Sequence, residues 1–575
     1  MTSNFEFQIV DWNSYHEIDH LDEEKYVIQL FGRTADDKDV CLKVCDFSPF
    51  FYVKIPETWG KKQADKFVQI LKSRVSWRTT NNPIYDYDLS ESLIDYAIVK
   101  KHHFYNFTNK KLYNFIILCF KSHTAMKEFS NVLCKPLNAP GLTNNPRMYE
   151  RFEANIEPHI RFMHIAKISS CGWVSIDPKH LNSNPEYSSC DHSYEINYKN
   201  VHPSKNNDRI SPLKIMGYDI ECISCDISFP QAERKSDKII QIGITMYRYG
   251  SMTCYENHIL TLKHCAPIDG SNVECYKTEK GLIRGWAKKI REIRPDVRAT
   301  YNGFGFDDSY IFDRIARIDS ENAEKNGVTV DLLENKFMNE ILQILGKVNN
   351  KYLVDTEQID KTMRPTGKND RSTYGPSLSY FQVKKLSSAA LGDNELYFFQ
   401  TPGTISIDVM KVIQRDHRLN GYKLDNVSAN FITEQSDKII EEPMDANGKI
   451  PIKIYTRSTK ALEKDSYIQI MINDGHSISP LNEGAKYPVL DINTINEKIY
   501  DEREKIEKIY TCQCIHTVVN QNELFNLREV LKDSKLEKFW TFAKDDMHHT
   551  LINKYFREGK SKKNCSDCQI LFERL

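Results

Sequence analysis

The sequence predicts a multidomain chain, α+β over residues 1–205 and α/β over 206–575, with a β-rich insertion at about 434–540. Three observations carry this expectation. Up to about residue 200, apolar segments of strand length alternate with polar turns and helix-period stretches. A strand, strand, helix, strand, helix order then runs from Lys214 to Ile318. Between Glu434 and Trp540 the chain returns to short strands and turns.

The first region places strands at Tyr26–Phe31, Phe50–Ile55, Leu93–Val99 and Phe115–Phe120. Between them Lys62–Arg74 carries Phe67, Ile70 and Leu71 at helix spacing. Polar stretches at His180–Pro185 and Asn200–Asp208 read as a linker. Beyond it, Lys214–Glu221 and the β-branched Lys238–Tyr247 are predicted strands. Thr278–Arg294 is a helix that must end before Pro295. Arg298–Tyr301 is a short strand that passes through Asn302-Gly303 into a helix at about Asp307–Ile318. Within the insertion, Ile495–Ile509 reads as one charged helix.

At 575 residues the chain has room for three to four domains of roughly 150 residues each. Apolar residues make up 40% and charged residues 27%, with 23 Gly and 21 Pro, which excludes a disordered or low-complexity chain. The net charge of −1 makes any phosphate-binding surface a local one. Met1–Trp12 lacks the apolar run of a secretion leader. The longest apolar run, Leu112–Phe120, is of strand length and holds Asn114, so no membrane partner is expected. Fifteen cysteines in such a chain read as free thiols, and an intracellular, soluble protein is expected.

Asp219-Ile220-Glu221 places two carboxylates at i and i+2 of a strand, on one face, where they can share a hard cation. The spacing alone says little, because Asp22/Glu24, Asp319/Glu321, Asp355/Glu357 and Asp393/Glu395 repeat it. Context separates the first pair. It ends a run with Ile215, Met216 and Tyr218, beside the apolar strand Ile239–Met246, where unneutralised acids are costly. Tyr301-Asn302-Gly303-Phe304-Gly305-Phe306-Asp307 then sets an Asp at a helix start. Taken alone, that Asp is a helix cap. Brought together with the first pair, it would complete a two-metal site that polarises a phosphodiester and activates water.

Asp219-Ile220-Glu221 followed by Asn302–Asp307 resembles the first and second exonuclease motifs of family B DNA polymerases. Cys265–Trp286, leading to Arg294-Pro295-Asp296-Val297, agrees with what lies between those motifs. Lys384–Leu396 and Ile407-Asp408 through Leu424 resemble polymerases of large nucleocytoplasmic DNA viruses, and Tyr149–Ile165 fits their N-terminal domain. The resemblance implies a ribonuclease-H-like 3′→5′ exonuclease acting in DNA replication and proofreading. It would use two Mg²⁺ (or Mn²⁺) ions and take DNA, single-stranded or frayed at its 3′ end. Asp219, Glu221 and Asp307 would be catalytic metal ligands. Asp567 in Asn564-Cys565-Ser566-Asp567-Cys568 is the match for the fourth, with Lys563 where the family has the Tyr that orients water. Asn302, Phe304 and Phe306 would shape the substrate groove.

The chain ends at Leu575 without the family's palm, fingers and thumb motifs, so no polymerase activity is expected from it alone. A separate chain carrying the polymerase domain is the partner this suggests. If the source is viral, host cytoplasm or nucleus would be the location. The rival reading is a non-catalytic DNA-binding or scaffolding module with a decayed exonuclease site, which Lys563 favours.

Other signals have ordinary explanations. Lys100-Lys101-His102-His103-Phe104-Tyr105-Asn106-Phe107 with Lys110-Lys111 could stack and neutralise a single strand, but reads first as an edge hairpin with buried Phe. Lys361–Arg371, with Arg364 and Lys368, reads as a solvated basic loop that could touch a DNA backbone. Cys222-x-x-Cys225 and Cys565-x-x-Cys568 lie too far apart in sequence for a zinc finger. His548-His549 beside Asp545-Asp546 reads as a polar loop or helix start.

Overall fold

The computed structural model describes residues 4–18, 24–80, 88–103, 107–204, 209–224, 228–251, 254–268, 270–325, 336–349, 380–388, 392–419, 421–431, 433–446, 448–459, 462, 464, 466–474, 478–501, 506–533 and 535–543. The chain divides into two units, one of Met1–Ser388 with Gly392–Asp408 and another of Ala389–Leu391 with Val409–Leu575.

The first unit opens with β1 (Phe5–Ile18), β2 (Glu24–Arg33) and β3 (Asp39–Cys45), antiparallel neighbours whose Phe7, Ile28, Leu30 and Leu42 are fully buried. A second module follows: β4 (Phe50–Lys54), α1 (Lys61–Thr80), β5 (Leu93–His102), β6 (Leu112–Phe120), α2 (His123–Val132) and β7 (Arg151–Phe152). After α3 (Pro158–Ala166), the strands β8 (Trp173–Ile176), β9 (Asn182–Ser183), β10 (His192–Asn197) and β11 (His202–Pro203) return to the first sheet, in the order β11-β8-β1-β2-β3-β10-β9. The stretch expected as a linker is therefore partly sheet. Asn182 and Ser183 pair with Glu195 and Tyr194, because short polar side chains are tolerated on a two-residue edge strand. Residues 205–208 lie outside the described residues. The structure corrects the edge-hairpin reading between β5 and β6 at one point, because Phe107 is 93% exposed and not buried.

The site is positioned by the next sheet. It is built from β12 (Lys214–Ile223), β13 (Lys238–Arg248), β14 (Glu256–Leu262), β15 (Asn272–Tyr276), β16 (Val297–Thr300) and a last strand, β19 (Ile405–Asp408). Their order is β15-β14-β13-β12-β16-β19. β13 is antiparallel to both its neighbours, whereas β12, β16 and β19 run parallel. Helix α4 (Glu279–Ile293) lies between β15 and β16 in sequence and buries Leu282, Ile283, Trp286, Ala287 and Ile290 at helical spacing. Thr278 caps its start by accepting the Gly281 amide at 3.1 Å, and Arg294 ends it at φ +53° just before Pro295. Helix α5 (Asp307–Lys325) runs beyond the expected Ile318. α6 (Lys336–Leu345) and the hairpin β17 (Tyr380–Ser388) with β18 (Gly392–Gln400) follow it. The predicted bounds of β12, β13, α4 and β16 hold to within two residues, whereas β14, β15 and β19 were not expected.

The second unit begins with α7 (Val409–Asp416) and α8 (Leu424–Phe431). Its sheet comprises β20 (Thr433–Glu441), β21 (Ile450–Thr456), β22 (Tyr467–Asn473), β23 (Ile478–Pro480), β24 (Tyr487–Pro488), β25 (Asp491–Asp501), β26 (Ile506–Val519) and β27 (Glu537–Ala543). These bounds nearly coincide with the expected β-rich segment at 434–540. Ile450, Ile452, Ile454, Ile468, Ile470 and Trp540 form its core, and α9 (Gln521–Lys532) starts in a capping box of Asn520 and Glu523. The expected helix at 495–509 is instead the antiparallel pair β25–β26, with Asp491 opposite His516 and Asp501 opposite Ile506. Ile495 and Ile499 mimic helical spacing. The β-branched content of Ile492, Thr494 and Ile495 and a full cross-strand ladder outweigh it. No helix among the described residues is long and apolar enough to cross a membrane.

Candidate active site

Alternation along β12 buries Met216, Tyr218 and Ile220 on one face and turns Gly217, Asp219 and Glu221 to the other. Asp219 is exposed, Glu221 half-buried and Asp307 buried at 3%, so a single member of the triad is withdrawn from water. The expectation that the strand pair is itself buried is corrected. Gly243 of β13, without a side chain, lies opposite Asp219.

Asp307 is brought to this strand by the turn before α5. Asn302 takes φ +62°, and its carbonyl accepts the amides of Gly305 at 2.9 Å and Phe306 at 3.0 Å. Gly303 is required because a Cβ there would stand 2.3 Å from Thr300 Oγ1. Gly303→Ala should therefore displace the turn and lower stability by about 1–3 kcal/mol. A urea titration beside a Gly250→Ala control checks that the loss exceeds that of an open positive-φ glycine.

The Asp307 carboxylate accepts the Ile220 amide across the sheet at 3.2 Å and is hydrogen-bonded to the Asp219 carboxyl. Burial first, then Asp219 and Asp308, push Asp307 up to about 9, so without a cation it holds a proton at neutral pH. An acid acting merely as a cap for its own helix would not be tied to a strand amide and a second acid. Among the described residues no three His, Cys, Asp or Glu side chains converge into a cage, so the close pair is Asp219–Asp307, with Glu221 two positions along the same face.

Two acids escaped the sequence reading as site residues. Asp408, 2% exposed at the end of β19, accepts the amides of Asn302 at 2.9 Å and Phe304 at 3.2 Å and so holds the turn from below. Asp308, also buried, accepts the Tyr218 hydroxyl and, at 3.1 Å, the Phe399 amide; Arg298 lies 3.5 Å away. The signal for both was an acid directly beside an apolar strand end or helix start. That pattern is too common to single out by itself.

Phe304 stacks on Phe398 with centroids 4.8 Å apart. Phe306 packs on Tyr310 and edge-on against Phe229, which is 71% exposed. Together Phe229, Phe304 and Phe306 border the acids with apolar, partly open surface. Asp567, Lys563, the second C-x-x-C pair, Cys225, His548-His549, Phe104 and the basic loop at Lys361–Arg371 lie outside the described residues.

Residues 149–360 match the model of the DNA polymerase family B exonuclease domain. This segment belongs to that family. The chain is 60% identical to a DNA polymerase of Acanthamoeba polyphaga mimivirus over 600 aligned residues, covering 98% of this chain and 34% of that protein. It is 24% identical to a DNA polymerase of Pyramimonas orientalis virus, covering 90% of this chain and 47% of the relative. It is also 24% identical to the DNA polymerase delta catalytic subunit of Drosophila melanogaster, covering 72% and 34%. The family B resemblance is thus established, and the chain spans between a third and a half of the length of these relatives. The expected separate polymerase chain finds no support. The mimivirus relative holds the whole stretch matched here within one longer polypeptide named as the polymerase.

Proposed function

We propose that this chain is the N-terminal and exonuclease portion of a family B DNA polymerase and removes nucleotides from 3′ DNA ends during replication. The observation that carries the reading is the meeting of Asp219 and Asp307 over the Ile220 amide. The strand order with β13 reversed is that of a ribonuclease-H-like sheet and supports the same reading. So does the division of sheets, since the strands before residue 205 and those from 214 to 408 pair separately. On this reading 206–575 is the exonuclease domain and 434–540 its insertion.

The donor set fits Mg²⁺ or Mn²⁺. Asp219, Asp307 and Glu221 offer hard oxygens, and a divalent cation would take the place of the proton that the Asp219–Asp307 pair otherwise holds. Bound ions would polarise the scissile phosphodiester and lower the pKa of the attacking water. The chain's own residues do the rest. Ile220 and Asp408 fix Asp307 and its turn, while Phe306 with Phe229 offers ring surface to an unpaired terminal base. Phe306→Ala is expected to weaken the hold on a single-stranded 3′ end by about 1–3 kcal/mol. The effect should appear in KM more than in kcat, as measured by steady-state digestion of labelled oligonucleotides. The test of the activity itself is directional digestion of end-labelled DNA. A decayed, non-catalytic site would leave the DNA intact and take up no Mn²⁺.

A further inference from the structure

On the face of β12 turned away from the acidic pair, a second set of polar groups is buried. Tyr218, the residue before Asp219, points into that face and is 5% exposed. Asp308, the residue after Asp307, is 1% exposed, and its carboxylate accepts the Tyr218 hydroxyl. One hydrogen bond therefore joins the neighbours of two candidate metal ligands, one on β12 and the other at the start of α5. The second Asp308 oxygen accepts the Phe399 amide of β18 at 3.1 Å. Arg298 of β16, also 1% exposed, lies 3.5 Å from that oxygen, with its guanidinium carbon 5.9 Å from the centroid of the Tyr218 ring. Its Nη2 donates to the Phe399 carbonyl at 2.6 Å and to Ser406 Oγ of β19 at 3.0 Å.

A buried acid and a buried guanidinium are expensive to desolvate, and well-packed apolar side chains of similar volume often hold a helix on a sheet as firmly. Stability alone therefore does not account for this group. Direction does. Apolar contact is non-directional and lets a helix start slide or turn by a fraction of an ångström. A hydroxyl-to-carboxylate bond braced by a guanidinium fixes both a distance and an angle. This bond acts one residue away from where Asp307 meets Asp219 and the Ile220 amide. Any slide of α5 along β12 would change the spacing of the two carboxylates. β18 holds the turn before α5 as well, because the Tyr397 amide donates to the Phe304 carbonyl at 2.9 Å.

We propose that Tyr218, Asp308 and Arg298 are positioning residues that set the separation of Asp219 and Asp307, and with it their joint hold on a divalent cation. The inference rests on the exonuclease reading above and adds residues that act through the ligands rather than as ligands. Tyr218 and Asp308 make the tie itself. Arg298 holds Asp308 and, through Phe399 and Ser406, keeps β18 and β19 in step with β16.

Calorimetric titration of the full chain with Mn²⁺, beside steady-state digestion of a 5′-labelled oligonucleotide, tests this. Tyr218→Phe is the deciding variant, because it removes one hydroxyl, keeps the ring and changes no charge. It should raise the Mn²⁺ Kd about tenfold and lower kcat about 10²-fold, with KM for the oligonucleotide within about twofold of the parent. Asp308→Asn keeps an acceptor for the Tyr218 hydroxyl and should lie nearer the parent than Asp308→Leu. Tyr218→Phe still carries the test if Asp308→Leu does not fold. Ile28→Val, a buried change in β2, removes packing alone and should leave the Mn²⁺ Kd and kcat at the parent's values. Where the parent binds Mn²⁺ and digests DNA, a Tyr218→Phe chain with the same Kd and kcat overturns this inference alone, whatever its urea midpoint. A folded parent that binds no Mn²⁺ and leaves the DNA intact overturns the exonuclease reading, and this inference with it.

Discussion

Asp307→Asn is expected to slow 3′-end hydrolysis by at least about 10³-fold while making the metal-free chain harder to unfold at pH 8. The first effect follows from removing an anionic oxygen donor from the Asp219–Asp307 pair. The second follows from linkage. Asp307 titrates near 9 in the folded chain and in the ordinary carboxylate range, near 3.8, once unfolded. The folded state therefore binds the extra proton between those values. Stability from this group is complete below about pH 4 and is lost as pH rises toward 9. Once ionised, the group is a buried charge beside another carboxylate, which costs several kcal/mol. Asparagine keeps an acceptor for the Ile220 amide and carries no charge. Urea titrations in EDTA at pH 5 and pH 8 measure this. The parent should weaken between them more than Asp307→Asn does, and Mg²⁺ should restore the parent alone. Equal pH slopes would show that Asp307 is not the strained acid.

Asp296→Ala should destabilise the first unit by about 3–5 kcal/mol, because it takes away the buried carboxylate that accepts Nε and Nη2 of Arg33 and leaves Asp37 holding only Nη1. Asp296 is 1% exposed and Arg33, at the end of β2, is fully buried. The carboxylate accepts Arg33 Nε at 2.5 Å and Nη2 at 3.2 Å, and the amide of Lys214 at 2.9 Å. The Asp296 backbone pairs with Lys214 and Ile405, so one residue ties the starts of β12, β16 and β19 to β2. Loss of the knot loosens the strand that carries Asp219 and Glu221. Asp296→Asn, which keeps acceptor capacity, should cost less. A double variant with Arg33→Met should recover part of the loss, since it removes a buried charge that Asp37 alone still pairs. Additive losses would mean that the two residues act separately.

β12, β13 and β16 around Asp219 were legible, the β-branched run Lys238–Tyr247 most clearly, as was the helix bounded by Thr278 and Pro295, whereas β14, β15 and β19 of the same sheet were not predicted. Asp307 was legible through the Asn-Gly turn that precedes it. Residues whose role depends on distant partners were not. Asp408 acts on amides more than a hundred positions upstream, and its place at an apolar strand end is too common a pattern to mark it. The exposure of Asp219 was also missed, because the buried side chains around it belong to the other face of β12. Ile495–Ile509 was misread because isoleucines at i and i+4 fit a helix until a paired strand is known.

The central claim is tested most directly by digesting single-stranded DNA labelled at its 5′ end, with Mg²⁺, using the parent chain, Asp219→Ala and Asp307→Ala. The account predicts a ladder shortened one nucleotide at a time from the 3′ end by the parent and undigested DNA with both variants. A folded parent that leaves the DNA intact, or a ladder that survives in either variant, would contradict it.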